Sequence, residues 1–308
     1  MLDKSIRILN FDDSVVKQKK LLAKYNNDIL DLKYLGPRAR YYSTGKVRNT
    51  IELRIRGSQR DSVTFLGSGD FHHISEILIS QFSEPINVIV FDFHPDWDNA
   101  LVRYGCGSWV NEILKRRNVS KVFLIGVSSP DIDSFDIQSG NLGSLKGSRV
   151  EIYPYEHAPS RTFMKKIPQN VSMNVEKGLF FNRIHWKELK NMDPDDFFRQ
   201  ILSRISVKET YISIDKDCLK QDSALTNWEE GKFPLDELLP LLKQIKENLD
   251  IVGMDIAGDY SPIYLNSIVK KAVSYLDHPK AVKAAALPEA LVTSLNEETN
   301  LKLLQFMN

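Results

Sequence analysis

Apolar positions cluster into short runs along the chain, and amphipathic stretches separate them. Val63 to Leu66 is one run, closed by Gly67-Ser68-Gly69-Asp70. Helical spacing follows from His73 to Phe82, where Ile74, Ile77, Leu78 and Phe82 share a face. Ile86 to Phe91 reads as a buried strand. Trp109 to Lys115 predicts a helix, with Lys115, Arg116 and Arg117 at the end its dipole favours for cations. Lys121 to Val127 predicts a third strand. Ser134 to Arg149, rich in Ser and Gly, reads as loop, and Val150 to Tyr155 and Gly178 to Phe181 are further strand candidates. Pro194 to Ile205 predicts a helix with Asp193 as its N-cap. Thr210 to Ile214 and Ile251 to Ile256 predict strands on either side of a helix over Pro234 to Leu249. The last forty residues read as mostly helical, with Ile268, Ala272 and Tyr275 on one face. Strands alternating with helices predict an α/β fold with a mostly parallel sheet covered on both faces. Ligands of such folds sit beyond the carboxyl ends of the strands.

Composition narrows the function classes. The chain has 308 residues, 42% hydrophobic and 26% charged, as expected of a globular protein with a substantial core. One domain over 1–308 accommodates that length. The formal net charge of +1 offers no basic field, so neither nucleic acid nor a membrane surface is an expected partner. Met1-Leu2-Asp3-Lys4-Ser5 carries no signal-peptide pattern, and no apolar run approaches membrane-spanning length. Cys106 and Cys218 are the only cysteines and make no disulfide framework, so a cytoplasmic setting is expected. Lys17-Gln18-Lys19-Lys20 reads as a solvated helix face.

The chemistry concentrates at three strand exits. Phe91-Asp92-Phe93-His94-Pro95-Asp96-Trp97-Asp98 puts three carboxylates and an imidazole directly after a buried strand. Alternation along an extended chain turns Asp92, His94 and Asp96 to one face. Such a cluster is costly without a counter-charge, which a divalent cation supplies. Gly67-Ser68-Gly69-Asp70-Phe71-His72-His73 and Ser213-Ile214-Asp215-Lys216-Asp217 occupy equivalent exits. Read singly, acidic turn residues are often helix caps or solvated loops. Read together, they offer more ligands than one ion needs. Carboxylate-rich, sulfur-free ligation favours a hard or borderline ion such as Mn²⁺. Two ions roughly 3.5–4 Å apart can hold a hydroxide nucleophile at neutral pH.

The order Gly-Asp-His, Asp-x-His-x-Asp, Ser-x-Asp-x-Asp resembles the arginase (ureohydrolase) superfamily, over about Val63 to Pro262. Leu124-Ile125-Gly126-Val127 resembles the family's Ile-Gly strand end. The resemblance implies a three-layer α/β/α fold and two Mn²⁺ ions held by Asp92, His94, Asp96, Asp215, Asp217 and a histidine of the first motif. It implies that Asp92 and Asp215 bridge the ions, that a metal-bridging hydroxide attacks a guanidinium carbon, and that Asp96 orients that hydroxide and relays a proton. Related enzymes often form trimers or hexamers, so an oligomer is compatible with the resemblance.

Departures from the family pattern narrow it further. Phe71 separates Asp70 from two histidines; His72-His73-Ile74-Ser75 fits the family's His-Ser-Ile-Ser with His72 as ligand, and His73 is the other candidate. Asp98 stands where enzymes acting on free arginine carry an Asn that helps hold the α-carboxylate, and an anion there repels a carboxylate. Arg103 to Trp109 lacks the family's proton-shuttling histidine, which leaves spare His73 or solvent for that role. In Asp255-Ile256-Ala257-Gly258-Asp259-Tyr260-Ser261-Pro262, Asp259 keeps the spacing of the guanidinium-holding acid and is expected to take a forked pair of N–H groups. With Gly-Ser-Trp-Val and Thr-Asn-Trp-Glu-Glu-Gly, these features resemble the peptide arginases, which convert arginine residues of precursor peptides to ornithine and release urea. The alternatives are a ureohydrolase acting on free arginine, agmatine or another small guanidino compound, a deacetylase-like amidohydrolase with one Zn²⁺, and a non-catalytic metal-stabilised module. Trp97, Tyr104, Trp109, Trp228 and Tyr260 are expected either to line a peptide groove or to pack the core.

Overall fold

A computed structural model describes residues 5–56, 62–99, 102–133, 135–163, 170–277 and 283–307. Eleven strands run through the described residues: β1 Ser5–Asn10, β2 Asn26–Asp31, β3 Val63–Gly67, β4 Ile86–Phe91, β5 Val119–Ile125, β6 Val150–Tyr153, β7 Ser160–Thr162, β8 Met173–Lys177, β9 Asn182–Trp186, β10 Glu209–Asp215 and β11 Asp250–Ala257. The helices are α1 Lys19–Lys24, α2 Gly36–Ala39, α3 Gly45–Ile55, α4 Ser75–Ile79, α5 Trp109–Leu114, α6 Leu142–Lys146, α7 Pro194–Leu202, α8 Leu235–Asn248, α9 Ile268–Asp277 and α10 Glu289–Met307. Eight strands form one sheet in the order β2-β1-β3-β11-β10-β4-β5-β6, and every pairing is parallel.

A parallel strand covered on both faces must be apolar on both. β4 meets that demand: all six residues are buried. Ile86, Val88 and Val90 enter a core with Ile51 of α3, Ile77 of α4 and Ile113 of α5. Ile89 and Phe91 enter a second core with Leu21 of α1, Phe197 of α7, Leu238 of α8 and Leu303 of α10. The three-layer α/β/α arrangement follows from that division of one strand between two cores. Capping is local: Asp193 accepts from Asp195 N and Asp196 N at the start of α7, as its place before Pro194 predicts.

Several elements depart from the sequence reading. β1 and β2 carry no long apolar run, and edge strand β2 is almost wholly exposed; parallel pairing to β1 makes it a strand. Gly178 to Phe181 is the turn between β8 and β9, not a strand. The stretch read as loop holds a 3₁₀ turn at Asp136–Gln138 and α6, which Asn141 caps by accepting from Ser144 N; Ser134 lies outside the described residues. Gln18, expected on a solvated face, is 1% exposed. Ile268 and Tyr275 of α9 do share a face, and it looks outward. Met1 to Lys4, residues 278–282 and Asn308 lie outside the described residues.

The register aligns the strand ends. Gly67 pairs with Ala257, Ala257 with Asp215, Ile214 with Phe91, and Phe91 with Ile125. The three acidic motifs therefore leave the sheet at one level, side by side.

Candidate metal centre

Two histidines and four aspartates meet at these strand ends. His72 Nδ1 lies 2.9 Å from Asp92 Oδ2, 3.4 Å from Asp96 Oδ2 and 3.6 Å from Asp215 Oδ2. His94 Nδ1 lies 3.0 Å from Asp217 Oδ2 and 3.7 Å from Asp92 Oδ1. Two sets of donor atoms are each compact enough for one ion: His72, Asp92 and Asp96, and Asp92, His94 and Asp217. Asp92 belongs to both and turns one oxygen toward each histidine.

Backbone amides fix the carboxylates. His94 N donates to Asp92 Oδ1, Phe93 N to Asp217 Oδ1 and Asp217 N to Asp215 Oδ1. These bonds occupy one oxygen of each group. His72 is held from behind: its Nε2 is 2.8 Å from Ser213 Oγ, which donates to Asp255 Oδ1, while Tyr211 Oη donates to Asp255 Oδ2. With a cation on Nδ1, the ring proton would sit on Nε2 and donate to Ser213 Oγ. Such a chain behind a histidine orients it for a metal. Asp255 was not singled out in the sequence, although Ser213 at the head of its motif signals the partner.

The donor set fits a cation on two counts. His72 Nδ1 and Asp92 Oδ2 are fully buried, face each other and make no hydrogen bond. The acids also resist ionising beside one another. Burial, then the neighbouring Asp92, pushes Asp96 up to about 7 and Asp217 up to about 6. Burial and Asp217 raise Asp215 well above its usual value. Burial opposes a charge on His72 and His94, but their carboxylate neighbours win and raise both. Asp92 runs the other way: burial disfavours its charge, and the two histidines hold it low. Oxygen and imidazole donors without sulfur suit a hard or borderline ion.

Glycine makes room at two points. A Cβ on Gly69 would come within 2.6 Å of Asp215 Oδ2, and one on Gly258 within 2.5 Å of Asp215 Oδ1. Gly258 also has a φ of +91°. Asp96 takes the left-handed region without being glycine, at φ 47°, an uncommon conformation that turns its carboxylate back onto the cluster.

A cavity of about 320 Å³ opens over the centre. Its wall beyond the six residues includes Asp98, Cys106, Asp131, Trp228 and Glu229, and among the described residues no lysine or arginine. Burial raises Asp98 to about 6, against a hydrogen bond from Ser139. Glu229 Oε2 is 3.4 Å from His94 Nε2. Of the aromatic residues in question, Trp228 lines the cavity, Trp97 and Trp109 are fully buried, and Tyr260 lines a second, smaller cavity.

Two expected site residues lie elsewhere. His73 turns away from the carboxylates: its Nε2 is 3.0 Å from Ser43 Oγ, and burial, aided by Lys270, lowers its pKa to about 3. A ring so held is a poor proton carrier at neutral pH. Asp259 is 1% exposed and absent from the cavity wall. Gln18 Nε2 donates to it at 2.6 Å, Asn300 Nδ2 approaches both oxygens at 3.4 Å, and Lys216 Nζ pairs with it at 3.0 Å. Those partners fill the positions a guanidinium would take, so Asp259 serves as the buried counter-ion of Lys216.

Comparison with known proteins agrees with this geometry. A model of the arginase family matches residues 161–275. An uncharacterized Thermotoga maritima protein is 24% identical over 265 residues, 85% of this chain and 83% of its own. In fold, the chain is similar to formimidoylglutamase from Bacillus subtilis (TM-score 0.60, 14% identity, 98% of this chain and 86% of that one). It is similar to arginase from the same organism (0.58, 11%, 98% of each) and to an agmatine ureohydrolase of Thermoplasma volcanium (0.54, 11%, 99% and 90%). The chain thus has the arginase-like α/β fold, and a model of the arginase family matches one part of it, residues 161–275.

Proposed function

We propose that this chain is a hydrolase that uses two Mn²⁺ ions to convert arginine residues within a peptide to ornithine, with release of urea. The observation that carries the reading is the acidic cavity wall. Asp98, Asp131 and Glu229 accompany the ligand carboxylates, and among the described residues no lysine or arginine lines the wall to receive a free α-carboxylate. A guanidinium is drawn to such a wall and the carboxylate of free arginine is repelled. An arginine inside a peptide carries the first group without the second.

His72, Asp92, Asp96 and Asp215 would hold one ion, and Asp92, His94, Asp215 and Asp217 the other. When bound, the pair supplies an ionised water as nucleophile and withdraws charge from the reacting centre. The chain's own residues do the rest. The wall carboxylates orient the guanidinium, with Glu229 in place of the engaged Asp259. Asp96, held by Trp109 Nε1–H at 2.6 Å, takes a proton from the attacking water and passes it to the departing amine. The C–N bond to the side chain breaks, ornithine leaves as the amine, and the guanidino carbon leaves as urea. Two overlapping ligand sets favour two ions over the single Zn²⁺ of a deacetylase-like enzyme.

One rival draws on the same wall: agmatine carries a second cation and no carboxylate. Mass spectrometry of an arginine-containing peptide incubated with enzyme and Mn²⁺ separates the two. We expect a mass loss of one CN₂H₂ unit per converted arginine. Urea from agmatine or free arginine, with the peptide unchanged, contradicts the proposal.

A further inference from the structure

Trp109 touches two candidate ligands at once. It begins α5 and is fully buried. Its Nε1–H donates to Asp96 Oδ2 at 2.6 Å. Its ring packs on His72, with centroids 4.8 Å apart and planes at 59°. The next residue reinforces the hold, because Val110 N donates to Asp96 O at 2.9 Å. Asp96 needs holding, since its left-handed backbone is costly outside glycine.

His72 and Asp96 are the residues that distinguish one ligand triad from the other; the two triads share only Asp92. The other triad is supported differently. Asp217 is fixed by Phe93 N and His94 Nδ1, and His94 packs on Trp228 at the cavity wall. The indole of Trp109 therefore serves one ion position.

We infer that Trp109 is a positioning residue for the single cation held by His72, Asp92 and Asp96, and that it sets this ion's affinity independently of the other's. The inference rests on the two-ion reading above. Trp97 provides a matched control, because it is equally buried and its Nε1 has no hydrogen-bond partner.

Mn²⁺ binding by equilibrium dialysis with elemental analysis tests it. The wild-type chain should bind two ions. Trp109→Phe keeps the ring and removes the donor, and should weaken one binding step roughly 10–100-fold, the usual effect of removing a residue that supports a ligand. Its other step should be unchanged, and Trp97→Phe should leave both unchanged. Wild-type binding by Trp109→Phe, or equal weakening of both steps, overturns the inference. A single ion on the wild-type chain overturns the two-ion reading and this inference with it. Should Trp109→Phe not fold, nitrogen-labelled tryptophan in the wild-type chain decides by NMR. On titration with diamagnetic Zn²⁺, the Trp109 indole N–H signal should shift in one binding step; a shift in neither, or in both, contradicts the inference.

Discussion

His72 and His73 are adjacent, buried and opposite in role. One ring faces three carboxylates, and the other faces Ser43 across the core. His72→Asn should therefore abolish binding of one ion and urea release. His73→Asn should retain both, at a stability cost of about 1–3 kcal/mol for the disturbed buried hydrogen bond, read by thermal unfolding. Glu229→Gln should raise KM for the peptide, because it removes a charge from the cavity wall and leaves the ligand ring intact; an unchanged KM would remove Glu229 from substrate binding. The clustering of Asp92, His94 and Asp96 was legible in the sequence, but not for the reason of alternation along a strand: β4 ends at Phe91, and a left-handed turn at Asp96 brings its carboxylate to the others. Asp259 was not legible, because its partner Gln18 lies 241 positions away. Spacing to Pro262 places its backbone and says nothing of what already fills its carboxylate.

At the scale of elements, the centre exists because β3, β4 and β10 end at one level of the sheet. The buried runs of β3, β4, β5, β10 and β11 were legible because a doubly covered parallel strand is mostly apolar on both faces. Edge strand β2 was not, since its sequence Asn-Asn-Asp-Ile-Leu-Asp is polar and only its neighbour makes it a strand. The loops after these strands must also leave space for Asp215. Gly69→Ala drives a methyl group toward Asp215 Oδ2 and should weaken Mn²⁺ binding with little loss of folded stability. Gly258→Ala faces both the methyl clash and the left-handed backbone, so about 1–3 kcal/mol of stability should go as well. Calorimetric binding and unfolding measurements on the two variants check this contrast.

For the whole molecule, the acidic centre links stability to pH and to metal. Asp96 and Asp217 have folded pKa values above the unfolded ones, at about 7 and about 6. Acids raised in this way stabilise the fold fully below the unfolded pKa of 3.8 and cease to do so as pH rises through those values. Asp92, held low, and His73, held neutral, act in the opposite sense as pH falls. Cations compete with protons for the same oxygens. The gap in melting temperature between Mn²⁺-loaded and metal-free protein should therefore widen from about pH 5 to about pH 8; a constant gap would mean that the buried acids do not bind the metal. The most direct measurement is anomalous scattering at the manganese edge from crystals grown with Mn²⁺. We predict two peaks roughly 3.5–4 Å apart, bridged by Asp92 and Asp215, with His72 beside one and His94 beside the other. One peak, or none at these strand ends, would contradict the two-ion centre.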